Sequence, residues 1–189
     1  MRICVVALGK IGLPLAVQFA DKGHTVVGAD VNQSVVDQVN AGHAPFPGEH
    51  QLAEKLEAAV GAGLLRATTD TAAAVAESEA VVLVVPLFVD SDAKPDFAWM
   101  DAATRDVARG LQPGTLVSYE TTLPVGTTRD RWGPMLEAGS GLTEGVDFHL
   151  VFSPERVLTG RVFADLRRYP KLIGSLSAEG ARRARDFYE

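Results

Sequence analysis

Two glycines near the N-terminus have the spacing of a phosphate-binding turn. The segment Ala7-Leu8-Gly9-Lys10-Ile11-Gly12 follows the apolar run from Ile3 to Leu8 and precedes a stretch with helical spacing. In a strand–turn–helix unit the first N–H groups of the helix lack partners and lie at the positive end of its dipole, where a pyrophosphate can bind. The dinucleotide fingerprint is G-x-G-x-x-G, and Ala7 occupies its first position. The match is partial, and a tight turn without a ligand is the alternative.

A carboxylate after the next strand supports the dinucleotide interpretation. The run from His24 to Asp30 has the pattern of a second buried strand, and Asp30 comes eighteen residues after Gly12. This is close to the spacing at which an acidic residue binds the ribose hydroxyls. Asp30 would accept from a 2′-OH and repel a 2′-phosphate, so the pattern favours NAD over NADP. The alternative for Asp30 is a solvated residue at the end of a strand.

Length and composition restrict the class of protein. We expect the 189 residues to form one dinucleotide-binding domain over 1–189, with a net charge of −6 that argues against nucleic-acid and membrane-surface partners. The apolar run Ala80–Val89 is too short to span a bilayer, and no signal peptide is evident, so we expect a cytoplasmic protein. The single cysteine, Cys4, lies within the first strand, where a buried and unreactive thiol is expected.

Strand and helix patterns alternate along the chain. They predict an α/β fold with a doubly wound, Rossmann-like parallel sheet and helices on both faces. Leu87–Phe97 is predicted to be a loop, and Gly139–Gly145 another. The predicted strands are buried apolar runs, at residues 3–8, 24–30, 64–69, 81–85, 116–122, 148–152 and 171–174.

Ligands of an open parallel sheet bind beyond the carboxyl ends of its strands. The groups predicted there are Gly9–Gly12, Asp30, Pro86, Glu120–Thr122 and Ser153–Arg156. Considered as residue types alone, Ser153-Pro154-Glu155 is better explained as the start of a helix, with Ser153 as N-cap, than as a catalytic group.

These segments resemble the nucleotide-sugar 6-dehydrogenases, the family of UDP-glucose dehydrogenase and UDP-N-acetylmannosamine dehydrogenase, and are most similar to the latter branch. The resemblance extends over essentially the whole chain. It is carried by five segments in the family's order, at residues 8–16, 28–33, 85–86, 120–127 and 153–160. Such enzymes oxidise the primary alcohol of a nucleotide sugar to a carboxylate with two NAD⁺, through a cysteine-bound thiohemiacetal and thioester.

The resemblance also implies site residues. Gly9, Lys10, Ile11 and Gly12 would bind the pyrophosphate, Asp30 the adenosine ribose, and Pro86 would also contact the cofactor. Thr122 would lie beside the nicotinamide and the reacting carbon. Glu155 matches the glutamate associated with the hydrolytic water, and Arg156 and Val157 match positions that contact the UDP-sugar. No metal site is expected. Leu87 stands where the family usually has threonine.

The family's nucleophilic cysteine, its central helix and its C-terminal domain have no counterpart in these residues. We therefore expect the N-terminal NAD-binding half of such an enzyme, inactive alone, whose parent is a homodimer. A non-catalytic NAD- or nucleotide-binding module that acts with a partner is the alternative. A hydroxyacid dehydrogenase of the 6-phosphogluconate type is a third hypothesis, which the segments 120–127 and 153–160 disfavour.

Overall fold

The chain forms a seven-stranded sheet and a separate two-stranded hairpin in a computed structural model that describes residues 1–189. The strands, in chain order, are β1 (Arg2–Val6), β2 (Thr25–Ala29), β3 (Leu65–Thr68), β4 (Ala80–Leu83), β5 (Phe88–Val89), β6 (Pro95–Asp96), β7 (Leu116–Tyr119), β8 (His149–Phe152) and β9 (Gly174–Ser175).

Eight α-helices and one π-helix connect these strands. They are α1 (Gly12–Asp21), α2 (Gln33–Asn40), α3 (Leu52–Gly61), α4 (Thr71–Ala76), α5 (Ala98–Gly110), the π-helix Thr128–Trp132, α6 (Gly133–Ser140), α7 (Val162–Arg168) and α8 (Ala178–Tyr188). None of these helices has the length and apolarity needed to cross a bilayer.

The strand order confirms the predicted doubly wound sheet. It is β3-β2-β1-β4-β7-β8-β9, so the direction of winding reverses between β1 and β4, as in Rossmann-type domains. Within this sheet all neighbouring strands are parallel except β8 and β9. The short strand predicted at 171–174 forms at Gly174–Ser175, and it runs antiparallel in a sheet that was predicted to be parallel. The antiparallel direction of β9 follows from the place at which the chain returns to the sheet. The Ser153 hydroxyl donates to the Leu172 carbonyl at 2.7 Å, so the chain enters β9 at the carboxyl end of β8.

Helices cover both faces of the sheet, as predicted, and each face has its own apolar core. Side chains of a strand alternate between faces, so Ile3 and Val5 of β1 belong to one core, with α1, α2, α3, α7 and α8. Cys4 and Val6 belong to the other, with α4, α5 and α6. Burial raises the pKa of the Cys4 thiol to about 12, in agreement with an unreactive thiol.

Three local features differ from the sequence prediction. The predicted loop 87–97 contains the β5–β6 hairpin, in which Phe88 pairs with Asp96. Helix α7 was not predicted, and α6 extends to Ser140 into the predicted glycine loop. Helix α7 buries only two apolar side chains, those of Val162 and Phe163, too few to give a helical pattern. Gly139 is helical because α6 packs closely on α5, where a Cβ atom at this position would lie 2.6 Å from the Ala108 Cβ. Asn32 and Ser177 cap α2 and α8, since their side chains accept from the backbone N–H of Ser34 and Gly180.

The π-helix is held against α5 by a buried carboxylate. Asp101 accepts two hydrogen bonds from the guanidinium of Arg131, at 2.8 and 2.5 Å, and one from the Trp132 indole at 3.0 Å. The hydrogen bonds from Arg131 lower the pKa of Asp101. Trp132 also stacks on Tyr119, the last residue of β7, with ring centroids 4.7 Å apart. These contacts fix both ends of the segment that joins β7 to the π-helix.

The turn between β1 and α1 places two demands on its backbone. A Cβ atom on Gly12 would lie 1.9 Å from the Ala7 carbonyl oxygen, so only glycine allows α1 to begin this close to β1. Ala7 itself adopts a φ of +75°, in the left-handed region that disfavours residues with a Cβ atom. The first position of the fingerprint therefore keeps the backbone conformation typical of glycine although it carries alanine.

We expect Ala7→Gly to stabilise the chain by up to about 1 kcal/mol, because the relief of left-handed strain exceeds the added entropy of the unfolded chain. Urea unfolding measures the change. Ala41→Gly is the matched control, because Ala41 is exposed and has a φ of −81°, so this change should give no stabilisation. Equal destabilisation by both substitutions would contradict the strain at Ala7.

Candidate functional site

The glycine turn presents a row of free hydrogen-bond donors. The backbone N–H groups of Gly9, Lys10, Ile11 and Gly12 donate to no acceptor within the chain, and no side chain caps α1. Nothing lies within 4 Å of the position that a Cβ atom on Gly9 would occupy. Because these donors lie at the positive end of the α1 dipole beside open space, the turn has the chemistry and the room to bind a pyrophosphate.

Asp30 is built into this turn. One carboxylate oxygen accepts from the Leu8 N–H at 2.7 Å, and the other accepts from the Asn32 N–H at 2.9 Å. A carboxylate has about four lone-pair sites, so each oxygen keeps the capacity to accept from a ribose hydroxyl. The structure thus places Asp30 beside the glycine turn, as predicted, and gives it a structural task that the sequence did not reveal.

Hydrogen bonds join the carboxyl ends of neighbouring strands into one surface. The Val84 N–H donates to the Val6 carbonyl at 3.0 Å, just before Pro86. The Thr121 hydroxyl donates to the Val85 carbonyl at 2.7 Å. The Glu155 N–H donates to the Glu120 carbonyl at 2.9 Å. The predicted site residues from Gly9 to Glu155 therefore lie along one edge of the sheet, with Thr122 exposed next to Thr121.

The expectation that Ser153-Pro154-Glu155 starts a helix was wrong. No helix begins there, and the next one, α7, starts at Val162. The buried hydroxyl of Ser153 donates to the Leu172 carbonyl and accepts from no backbone N–H of a following helix. Residues 153–158 belong to no helix or strand, and the Glu155 carboxylate pairs with Lys171 instead of lining a first helical turn.

A compact charged cluster lies where β7 and β8 end. The Lys171 ammonium is 2.7 Å from a carboxylate oxygen of Glu120 and forms a second ion pair with Glu155. Tyr188 donates its hydroxyl to the other oxygen of Glu120 at 2.6 Å. Burial lowers the pKa of Lys171 and raises that of Tyr188 well above its usual value. No group of three metal-ligating carboxylate, imidazole or thiol side chains converges as a metal-ion site here or elsewhere in the chain.

Lys171 and Tyr188 were missed in the sequence analysis. They lie 51 and 68 residues from Glu120 along the chain, so no local spacing connects them. The one available signal was the position of Lys171 in a predicted strand, where an unpaired lysine is uncommon.

Arg156 and Val157 line a cleft of about 440 Å³ together with Glu155 and Lys171. Leu15 and Phe19 of α1 and Tyr188 at the end of α8 also line the cleft. The Arg156 guanidinium hydrogen-bonds the Pro170 carbonyl. The three predicted substrate-binding residues thus line one cleft, and Thr122, predicted beside the nicotinamide, does not line it.

Glu49, in the loop before α3, fixes the segment that carries Glu155. Its two carboxylate oxygens accept from the N–H groups of Gly160, at 2.6 Å, and of Val162, at 2.8 Å. N–H groups at the start of a helix have no acceptor within the helix, and the Glu49 carboxylate supplies one for α7. The helix dipole also favours a negative charge at this end. A residue more than a hundred positions earlier thereby closes the end of the 153–161 segment.

The topology, the glycine turn and the acidic residue after β2 define a dinucleotide-binding domain of the Rossmann type. The family model "UDP-glucose/GDP-mannose dehydrogenase family, NAD binding domain" matches residues 1–189. The chain belongs to this family, and it constitutes the family's NAD-binding domain.

Similar proteins agree with this assignment. UDP-N-acetyl-D-mannosamine dehydrogenase of Pyrococcus horikoshii is 37% identical over 188 residues, with 100% of this chain and 44% of that protein covered. The Escherichia coli K12 enzyme of the same name is 35% identical over 193 residues, with 99% and 45% covered. The solved P. horikoshii structure superposes with a TM-score of 0.93 at 36% identity, covering 100% of this chain and 44% of that one. The chain thus spans less than half the length of these relatives.

We expect Glu49→Ala to destabilise the chain by about 1–2 kcal/mol, the scale of a lost helix cap. Amide hydrogen exchange should also become faster at Gly160 and Val162. Glu57→Ala is the matched control, since Glu57 is an exposed glutamate of α3 without a hydrogen-bond or ion-pair partner. Unchanged exchange at both amides would show that Glu49 does not hold this segment.

Proposed function

We propose that this chain provides the NAD⁺ site, and part of the sugar-nucleotide site, of an enzyme that oxidises a UDP-hexose to the corresponding uronic acid. The observation that carries the proposal is the row of four unpaired N–H groups at Gly9–Gly12 beside the carboxylate of Asp30. Family membership supports the same cofactor. The names of the relatives favour UDP-N-acetylmannosamine as the sugar nucleotide.

Each residue has a task in this proposal. Gly9, Lys10, Ile11 and Gly12 donate to the pyrophosphate through their backbone, Asp30 accepts from the adenosine ribose, and Pro86 borders the cofactor on the adjacent strand. When bound, NAD⁺ supplies the acceptor for a hydride.

The remaining residues act on the sugar nucleotide. Thr122 orients the reacting alcohol, Glu155 accepts a proton from the hydrolytic water, and Arg156 and Val157 contact the UDP-sugar. Assembly of the parent enzyme as a homodimer is part of the same proposal, and its cytoplasmic location stays a prediction.

Cofactor binding tests the proposal directly. In calorimetric titration the chain should bind NAD⁺ at least about tenfold more tightly than NADP⁺, because a 2′-phosphate would place like charges a few ångströms from Asp30.

Gly9→Ala should weaken NAD⁺ binding by about tenfold, since the added methyl group occupies the space through which a phosphate approaches the N–H groups.

Gly61→Ala is the control for this titration, because Gly61 has equally open surroundings but lies at the end of α3, away from the glycine turn. Its NAD⁺ affinity should equal that of the wild type. Equal or tighter binding of NADP⁺, or unaltered binding in Gly9→Ala, would contradict the proposed cofactor site.

Turnover gives a second test. In this family the second oxidation requires a thiolate that traps the aldehyde. The only cysteine here, Cys4, is fully buried, and its pKa is raised to about 12. We therefore expect these 189 residues alone to form no uronic acid from UDP-glucose, UDP-N-acetylglucosamine or UDP-N-acetylmannosamine with NAD⁺.

The assay follows NADH absorbance together with product mass, and the E. coli UDP-N-acetyl-D-mannosamine dehydrogenase serves as the positive control. Steady formation of two NADH per sugar by this chain would refute the prediction. A chain that binds NAD⁺ and is inactive with every sugar, even when the rest of a relative is joined to it, would instead favour the non-catalytic binding module.

A further inference from the structure

Two carboxylates and a single ammonium share one buried site at the ends of β7 and β8. The side chain of Glu120 has no exposed surface, that of Glu155 is 9% exposed, and that of Lys171 is 20% exposed. Neither glutamate forms an ion pair with any other side chain in residues 1–189. Two carboxylates this close to each other in a buried site cannot both remain ionised without a cation between them.

The other groups that face the cluster do not supply that cation. From α8, Tyr188 donates its hydroxyl to Glu120 and is kept neutral by burial. From β7, the Ser118 hydroxyl lies 2.7 Å from that of Tyr188. Arg156 is next to Glu155 in the chain, but it is exposed and its guanidinium hydrogen-bonds the Pro170 carbonyl. Charge compensation in the cluster therefore depends on Lys171.

We infer that Lys171 is the positioning residue of the candidate site: its ammonium bridges Glu120 and Glu155 and holds both as ionised carboxylates in fixed positions. The Lys171 ammonium also lies 4.8 Å from the centre of the Tyr188 ring, so the end of α8 fixes the lysine from a third side. In this inference Lys171 acts through Glu155.

This bridge has a consequence for the reaction. A general base must be ionised to accept a proton from water, and loss of the bridging cation would leave one proton shared by the two glutamates. The consequence rests on the proposed function, since it assumes that Glu155 accepts this proton. The bridge itself is a property of this chain and can be measured without a substrate.

Infrared spectroscopy of the chain, with glutamate labelled at the side-chain carboxyl carbon, tests the bridge. At pH 7 the wild type should show no carbonyl band of a protonated buried glutamic acid. Lys171→Met should show a band that corresponds to one protonated glutamate per chain. Lys171→Arg should resemble the wild type because it keeps the cation. Lys94→Met is the control for loss of a lysine at an exposed site.

A Lys171→Met spectrum without this band, or a wild-type spectrum that already contains it, would overturn the inference. If Lys171→Met does not fold, a second comparison decides. In Glu120→Gln/Lys171→Met the repulsion is removed together with the cation, so this double variant should fold, with a urea midpoint above that of Lys171→Met. A double variant that is as unstable as Lys171→Met overturns the inference as well.

The NAD⁺ titration separates this inference from the proposed function. Lys171→Met should bind NAD⁺ with the affinity of the wild type, because the glycine turn and Asp30 lie at other strands. A protonated glutamate in Lys171→Met, in a chain that binds no NAD⁺, would support the bridge and contradict the proposed cofactor site. Tight NAD⁺ binding by Lys171→Met without a protonated glutamate would support the proposed cofactor site and contradict the bridge.

Discussion

The close approach of α1 to β1 is the constraint on which the rest of this structure depends. It is possible because residue 12 is glycine. A Cβ atom at this position would lie 1.9 Å from the Ala7 carbonyl oxygen. In the turn that this approach creates, the N–H groups of residues 9–12 donate to no acceptor within the chain. Asp30 then holds the turn by accepting from Leu8, so the same carboxylate that is proposed to bind a ribose also fixes the backbone that is proposed to bind the pyrophosphate.

The other half of the edge is organised by charge. Beyond β7 and β8 the chain buries Glu120 and nearly buries Glu155, which would be unfavourable without compensation. Lys171 comes from the segment that leads into the antiparallel strand β9, so the one departure from a parallel sheet also delivers the cation to the site. Glu49 fixes the end of the 153–161 segment, which carries Glu155. Long-range contacts therefore set the geometry around Glu155.

Patterns within a strand or a helix were sufficient to predict the sheet, both helical faces, the glycine turn and the position of Asp30 beside it. They failed where the determining partner is distant in the sequence. Ser153-Pro154-Glu155 has the composition of a helix start, but its hydrogen bonds go elsewhere. The Ser153 hydroxyl donates to Leu172 and the Glu155 N–H donates to the Glu120 carbonyl. The contacts of Lys171 and Tyr188 with Glu120, and those of Glu49 with Gly160, join residues more than 50 positions apart, so no local pattern predicts them.

The central claim is that a dinucleotide binds with its pyrophosphate on the glycine turn, and an amide chemical-shift titration of the isotopically labelled chain with NAD⁺ tests it most directly. The account predicts that the largest shifts occur at the N–H groups of Gly9, Lys10, Ile11 and Gly12, with a second group at Asp30 and Val31. Unchanged resonances at these positions, with shifts confined to the cleft lined by Arg156 and Val157, would contradict it.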